Sequence, residues 1–187
     1  LFMTAISSID LALWDLKAKK MNLPMYHLLG GPTRREIPAY ASMLGFSIEP
    51  EAAAKTALEY KEKGFQAQKW FFRYGPGDGI EGMNKNISMV KAVREAVGEN
   101  YPLMFDAFMG WDVNYTIKIL NKIERYNPTW VEEVIQPERI EGFKKIKQNS
   151  KVPLATGEHV YTRWQVKELL SAEVVNYIQT DPVWTGG

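Results

Sequence analysis

Four acidic side chains each close a short apolar run in this 187-residue sequence. They are Asp106, Glu132, Glu158 and Asp181. The intervals between them are close to one strand–helix unit of a barrel, which takes about 31 residues. If each apolar run is a strand, the four carboxylates lie on neighbouring strands at the same height. In a barrel, that height is the catalytic face.

Carboxylates that converge without a basic partner repel one another, and a bound cation offsets that repulsion. Oxygen ligands on three separate strands suit Mg²⁺ better than zinc, for which His or Cys ligands are typical. The pattern therefore favours a hard divalent ion. The alternative is that strand-end carboxylates cap the next helices or are solvated, but the regular spacing disfavours it.

The composition is typical of a soluble globular protein, with 45% hydrophobic and 24% charged residues. A net charge of +1 provides no positive field for nucleic acid or an anionic membrane, so we expect a small-molecule partner. The absence of cysteine excludes thiolate metal sites, disulfides and cysteine nucleophiles. Because the sequence lacks a long apolar stretch and a basic signal-peptide start, the expected compartment is the cytoplasm.

Strand and helix patterns alternate along the chain. The predicted strands are 37–44, 65–72, 103–108, 130–134, 153–157 and 175–180. The predicted helices between them are 50–63, 83–97, 113–125, 140–148 and 163–170. Strict alternation favours a parallel sheet, because parallel strands need crossover connections.

Two layouts have such a sheet. A doubly wound fold requires a phosphate-binding turn such as GxGxxG after a strand, and the only glycine-dense loop, 75–79, lacks that spacing. A complete (β/α)8 barrel takes roughly 250 residues, so six strands indicate a partial TIM-like barrel without its last units. The chain begins inside a helical pattern and ends just after a strand pattern, which predicts a fragment. We expect residues 1–36 to link an N-terminal capping domain to an incomplete barrel, 37–187.

Several motifs resemble a known family. The segment AISSIDLALWDLKAK at 5–19, followed by LLGG at 28–31, resembles the helix signature of the mandelate racemase and muconate-lactonizing branch of the enolase superfamily. The resemblance extends over the whole chain. Within that branch the chain is most similar to the rhamnonate and arabinonate dehydratases, through YGPGDG at 74–79, LMFDAFMGWD at 103–112 and GEHVYTR at 157–163.

The resemblance implies roles for individual residues. Asp106, Glu132 and Glu158 would bind one Mg²⁺, and Lys69 would face the substrate carboxylate. Asp181 would belong to a His–Asp dyad whose histidine follows the next strand, beyond residue 187. The family's capping domain would precede Leu1, and family members commonly form homo-oligomers.

The implied chemistry can be argued from charge. Removing the proton beside a carboxylate builds an enediolate-like dianion, which Mg²⁺ and Lys69 together can neutralise; a His or Lys base beside Mg²⁺ is the established pattern of enolase-superfamily sites. Loss of the neighbouring hydroxyl then needs an acid. His159, directly after the third ligand, is the candidate, and the alternative is that it orients Glu158 or a water. His27, the only other histidine, is interpreted as structural.

The sequence also departs from the family pattern. Many relatives carry Lys-x-Lys on the second strand, but here Phe71 replaces the second lysine, which favours dehydration on one face over racemisation. The usual Glu-Glu-Pro ends in Val134, and Thr180 stands where proline is common. Other candidate substrate contacts are Arg73, Tyr74 and Trp184, although an aromatic such as Trp184 is as often a packing residue.

The sequence thus predicts a Mg²⁺-dependent dehydratase that converts an aldonate into its 2-keto-3-deoxy product. One alternative within the fold is an epimerase, racemase or cycloisomerase. Another is an inactive truncated piece that lacks the catalytic histidine. The sequence does not name the sugar acid.

Overall fold

The structure is a computed structural model that describes residues 2–187. Helices α1 (Phe2–Lys20) and α2 (Met25–Leu28) come first. The strands are β1 (Ala41–Ser42), β2 (Gln68–Phe71), β3 (Leu103–Asp106), β4 (Trp130–Glu132), β5 (Leu154–Thr156) and β6 (Tyr177–Ile178). The later helices are α3 (Pro50–Glu62), α4 (Gly79–Val97), α5 (Val113–Ile123), α6 (Ile140–Asn149), α7 (Arg163–Ala172) and α8 (Pro182–Thr185). Short 3-10 helices span Pro76–Asp78 and Glu124–Tyr126.

The six strands form one parallel sheet in chain order, so each strand lies beside the next one along the sequence. A parallel neighbour is reached through a crossover, and α3 to α7 supply the five crossovers. The predicted α/β architecture, a partial (β/α)8 barrel with six strands, is confirmed. Within residues 2–187, none of the helices combines the length and apolar character that a membrane crossing requires.

The first and last strands are shorter than predicted. The strand predicted over 37–44 forms only at β1, since Pro38 has no N–H to donate to a ladder and Ile37 is 82% exposed. The strand predicted over 175–180 is limited to β6, which among the described residues pairs with β5 alone. A short strand with one neighbour gains few ladder hydrogen bonds.

The helix predicted from residue 83 starts earlier, at Gly79. The 3-10 helix before it is closed by Asp78, whose Oδ2 accepts a hydrogen bond of 2.8 Å from the backbone N–H of Gly75. The chain passes directly from that turn into α4. The helix therefore begins at Gly79, although its first turn contains two glycines, Gly79 and Gly82.

The face of the sheet that packs against the helices is apolar. Trp70, Phe105, Val131 and Leu154 lie side by side in register across β2 to β5 and are buried. Side chains alternate along a strand, so the residues next to them in sequence point into the barrel. Those inward residues include Lys69, Asp106 and Glu132. Hydrophobic packing on the outer face therefore fixes the charged residues on the inner face.

Candidate active site

A buried lysine lies between two buried carboxylates at the ends of β3 and β4. The ammonium Nζ of Lys69 is 2.5 Å from Oε1 of Glu132 and 3.1 Å from Oδ2 of Asp106. Asp106 and Glu132 are partners in the sheet register, which explains why both reach one ammonium. Glu132 is fully buried and Asp106 is 2% exposed.

Burial and charge act in opposite directions on this group. Burial disfavours the charged ammonium of Lys69, but its hydrogen bonds and charge interactions with Glu132 and Asp106 outweigh burial and hold its pKa above the ordinary value. Burial, together with the charge of Glu132, raises the pKa of Asp106 from 3.8 to about 6, against the opposing effect of Lys69. The site therefore holds two acidic groups for one fixed positive charge.

The second oxygen of Glu132 accepts hydrogen bonds from two residues outside the predicted site. Nε1 of Trp130 donates to Oε2 at 2.8 Å, and Nε2 of Gln179 donates to the same atom at 3.1 Å. Trp130 lies two residues before Glu132 on the same face of β4, a spacing that could have indicated the contact. Gln179 comes from the end of β6, and only the fold brings it to Glu132.

A second cluster surrounds His159. Its Nδ1 lies 2.9 Å from Oε2 of Glu133 and 3.5 Å from Oε1 of Glu158. The other oxygen of Glu133 accepts hydrogen bonds from Oγ1 of Thr156 and from the N–H of Gly157, the latter at 3.1 Å. Glu133 is fully buried, and no sequence pattern assigned it a role. The doubled glutamate at a strand end was the available signal.

The loops after β3 and β4 have unusual backbone geometry. Phe108, Met109 and Glu133 have φ values of 45°, 59° and 49°, in the left-handed region that non-glycine residues rarely adopt. The N–H of Met109 donates to the carbonyl of Glu133, which joins the two loops. Oδ1 of Asp106 accepts from the N–H of Phe108 at 2.9 Å, so the same loop also orients a predicted ligand.

Glu158, the third predicted metal ligand, lies 3.5 Å from His159 and, in the part of the chain that the structure describes, forms no ion pair with Lys69. Its pKa is raised, mainly by burial and by the charges of Glu132 and Glu133, while Lys69 and His159 act in the opposite direction. In the described chain, potential ligand atoms of Glu133, Glu158 and His159 lie within 4.8 Å of one another. That group contains only one of the three predicted ligands, Glu158, and includes an imidazole. The carboxylate oxygens of Asp106, Glu132 and Glu158 are of the type that suits a hard divalent ion, and their assignment as its ligands stays a prediction.

Aromatic rings border His159. Trp184, a predicted substrate contact, meets the histidine ring edge-on with 5.2 Å between centroids, and Phe108 does so from another direction at 5.4 Å. Tyr161 lies 5.5 Å from Trp184. Trp184 thus comes next to the predicted acid, although α8 is short and lies at the chain's last residues.

The remaining predicted residues form their hydrogen bonds elsewhere. Asp181 caps α8, with Oδ1 accepting from the N–H of Val183 at 2.8 Å. Arg73 is exposed, and the N–H groups of Arg73 and Tyr74 donate to Oδ1 of Asn86 at 3.4 and 3.3 Å. His27 is exposed on α2. The structure therefore does not bring Asp181, Arg73 or Tyr74 into the hydrogen-bonded group around Lys69.

Comparison with protein families gives two matches. Residues 52–187 match the model described as "Enolase C-terminal domain-like". Residues 1–30 match the model described as "Mandelate racemase / muconate lactonizing enzyme, N-terminal domain".

Individual relatives agree with these matches. The chain is 36% identical over 189 residues to an L-rhamnonate dehydratase of Saccharopolyspora erythraea, and this match covers all of this chain and 46% of that protein. A crystal structure of rhamnonate dehydratase from Gibberella zeae complexed with Mg is 38% identical, with a TM-score of 0.85 over 99% of this chain and 43% of that one. The 3,6-anhydro-D-galactonate cycloisomerase of Zobellia galactanivorans is 34% identical, with a TM-score of 0.87 over 99% of this chain and 50% of that one. The chain spans about half the length of the relatives it matches.

Proposed function

The chain belongs to the mandelate racemase and muconate lactonizing enzyme family of the enolase superfamily, as its motifs predicted, and from that premise we propose that it functions in acid-sugar dehydration. The reaction converts an aldonate into its 2-keto-3-deoxy product and depends on Mg²⁺. The observation that carries the proposal is the buried Lys69, Asp106 and Glu132 group at the strand ends. The similarity to two rhamnonate dehydratases supports the choice of reaction.

Asp106, Glu132 and Glu158 are the residues that would hold Mg²⁺. When bound, the ion supplies positive charge that stabilises the substrate carboxylate as negative charge builds on it. The structure of a relative complexed with Mg supports this choice of ion. The hydrogen bonds from Trp130 and Gln179 to Oε2 hold Glu132 in its orientation.

The chain's own residues divide the remaining work. Lys69 provides a permanent ammonium for the substrate carboxylate, since its carboxylate neighbours keep it charged. His159 gives a proton to the leaving hydroxyl, and Trp184 walls the substrate beside it. Asp181 orients the base of the dyad, and Arg73 and Tyr74 contact the hydroxyl chain of the sugar. Phe71 offers no proton acceptor, which favours elimination over racemisation.

Residues 1–36 connect a capping domain to the barrel that begins at 37, and the substrate is a small acid sugar. We place the protein in the cytoplasm, as a homo-oligomer, without nucleic-acid or membrane partners.

Metal binding is tested with single substitutions. Asp106→Asn, Glu132→Gln and Glu158→Gln should each weaken Mn²⁺ binding at least about tenfold in calorimetric or electron-paramagnetic titrations, because each removes one charged oxygen ligand. Glu141→Gln is the matched control, since Glu141 is an exposed glutamate paired with Lys144. An unchanged affinity for Mn²⁺ in all three variants would refute the proposed metal site.

The reaction is tested with a panel of aldonates that includes L-rhamnonate, in deuterium oxide. Formation of a 2-keto-3-deoxy acid supports the proposal. Deuterium exchange at C2 with the hydroxyl retained would favour the racemase or epimerase alternative. Turnover of 3,6-anhydro-D-galactonate in place of aldonates would favour a cycloisomerase, the activity named for one similar structure.

A further inference from the structure

We propose that Glu133 is a positioning residue that holds His159 as the Nδ1–H tautomer, so that Nε2 is the nitrogen that hands a proton to the substrate. This role rests on the proposed dehydration, in which His159 is the acid. Glu133 itself touches neither the substrate nor the metal in this assignment.

The hydrogen bonds of Glu133 determine the tautomer. An ionised carboxylate only accepts hydrogen bonds. Two donors, the hydroxyl of Thr156 and the N–H of Gly157, already point at Oε1. Oε2 faces Nδ1 of His159 at 2.9 Å, so the hydrogen between these two atoms belongs to the ring. With one proton on the neutral ring, Nε2 is then the unprotonated nitrogen.

The backbone explains why Glu133 can reach β5. Its φ of 49° turns the chain directly after β4, and this left-handed conformation is costly for a residue with a side chain. The turn is held on both sides, since the N–H of Glu133 donates to the carbonyl of Ala155 at 3.0 Å and its carbonyl accepts from Met109. The side chain therefore crosses to Thr156 and His159 while Glu132, one residue earlier, points to Lys69.

The histidine ring is held in more than one direction. Phe108 and Trp184 meet it edge-on, and its side chain is 17% exposed. Nδ1 is engaged by Glu133 at hydrogen-bond distance, and the contact with Glu158 is longer, at 3.5 Å. Nε2 is the nitrogen left for the substrate.

This arrangement gives a balanced elimination step. The proton on Nε2 of the charged ring moves to the oxygen of the leaving hydroxyl as the C–O bond breaks. The electron pair of that bond leaves with the oxygen, and water departs. The ring remains as the neutral Nδ1–H tautomer, which is already hydrogen-bonded to Glu133, so no group has to reorient after the transfer.

The experiment is ¹⁵N NMR of the imidazole rings at a pH where they are neutral. The chain has only two histidines, so His27 serves as an internal reference. In the unaltered chain we expect the proton of His159 on Nδ1. In Glu133→Gln, the amide oxygen can still accept from Thr156 and Gly157 while the amide N–H₂ donates to Nδ1, so the proton should move to Nε2. Glu141→Gln should change neither ring.

Two results would overturn the inference. One is an Nε2–H tautomer of His159 in the unaltered chain, a measurement that does not require any variant to fold. The other is an unchanged tautomer in folded Glu133→Gln. Where dehydration is measurable, Glu133→Gln should lower kcat by about 10- to 100-fold and leave KM within about twofold. If the expected tautomers were observed but no aldonate were dehydrated, the role of Glu133 in setting the tautomer would stand and the proposed dehydratase function would be refuted. Failure of the inference and failure of the proposed function are therefore distinguishable.

Discussion

A single ammonium group balances part of the negative charge inside the barrel. Lys69 contacts both Asp106 and Glu132, and all three side chains are almost completely removed from water. A buried charge that loses its partner is far more costly than an exposed one, because water cannot solvate it. The two carboxylates therefore depend on Lys69 unless a cation replaces its charge.

Lys69→Met should expose that dependence. The variant leaves two adjacent buried carboxylates without a counter-charge, so we expect it to lose roughly 3 kcal/mol or more of unfolding free energy in metal-free buffer. Added Mg²⁺ should stabilise the variant more than the parent. Urea unfolding with and without Mg²⁺ measures both effects.

Lys19→Met is the control, since Lys19 forms an exposed pair with Asp15 and should change stability by less than about 1 kcal/mol. Equal urea midpoints for Lys69→Met and the parent would show that the ammonium of Lys69 is not needed to neutralise the two buried carboxylates.

Asp106 should give stability a distinctive pH dependence. Because its pKa in the folded chain is raised from 3.8 to about 6, the folded state binds the proton more tightly than the unfolded state does. The stabilising contribution of this proton is present at low pH and is lost as pH rises through about 6. Asp106→Asn lacks the titration, so its stability relative to the parent should increase from pH 4.5 to 7.5, by at most about 3 kcal/mol. Urea unfolding of both proteins in metal-free buffer checks the sign, and a decreasing difference would contradict it.

At the scale of elements, the sequence pattern predicted most of the fold. Apolar runs such as Leu103–Asp106 and amphipathic segments such as Val113–Ile123 are local signals, and both elements formed close to the predicted positions. The register that brings Asp106 beside Glu132 then follows from parallel pairing in chain order. Two of the predicted strand-end carboxylates, Asp106 and Glu132, therefore lie side by side at one end of the sheet, whereas Asp181 lies beyond β6 and caps α8.

The rest of the site depends on tertiary geometry. Glu133 contributes because its backbone turns at φ 49°, and Gln179 contributes because β6 lies within reach of β4. Neither feature produces a periodic or local pattern in a single sequence. The predicted length of β1 was wrong for a related reason. The hydrogen bonds of a strand depend on the neighbouring strand and are lost at Pro38, whatever the apolar content of the segment.

Arg94 joins several elements at the opposite end of the strands. From near the end of α4, its guanidinium donates to five backbone carbonyls, those of Gly98, Glu99, Tyr101, Tyr126 and Asn127. Two of these segments lead into β3 and β4, so the side chain fixes where both strands enter the sheet. Arginine suits this role because its planar group presents five donors in fixed directions.

Arg94→Met should cost about 3 kcal/mol or more of unfolding free energy, because it leaves several partly buried carbonyls without donors. Arg125→Met is the matched control, as Arg125 is exposed and lies near the same loops. Chemical unfolding compares the two variants. A loss from Arg94→Met no larger than that from Arg125→Met would show that water replaces the guanidinium at no cost.

At the scale of the whole molecule, the described chain presents two kinds of unpaired surface. Among residues 2–187, β1 and β6 each have one neighbour, so both have an unpaired edge. Helix α1 carries an exposed apolar stripe with spacings of four and three residues, formed by Phe2, Ile6, Ile9, Leu13 and Leu16. Exposed fractions of 44% to 86% along this stripe are unusual for large apolar side chains.

These surfaces predict self-association of the chain, with the α1 stripe as the main contact. The parent should sediment as dimers or larger species at micromolar concentrations, because burying five large apolar side chains removes much hydrocarbon surface from water. The double variant Ile9→Lys with Leu13→Lys should weaken association at least about tenfold. Ser8→Lys with Ala12→Lys adds the same charge to exposed positions outside the stripe and should leave association nearly unchanged. If the two double variants associate equally, the contact lies elsewhere, and the unpaired strand edges become the surface to alter next. A parent that is monomeric at every concentration would contradict the prediction as a whole.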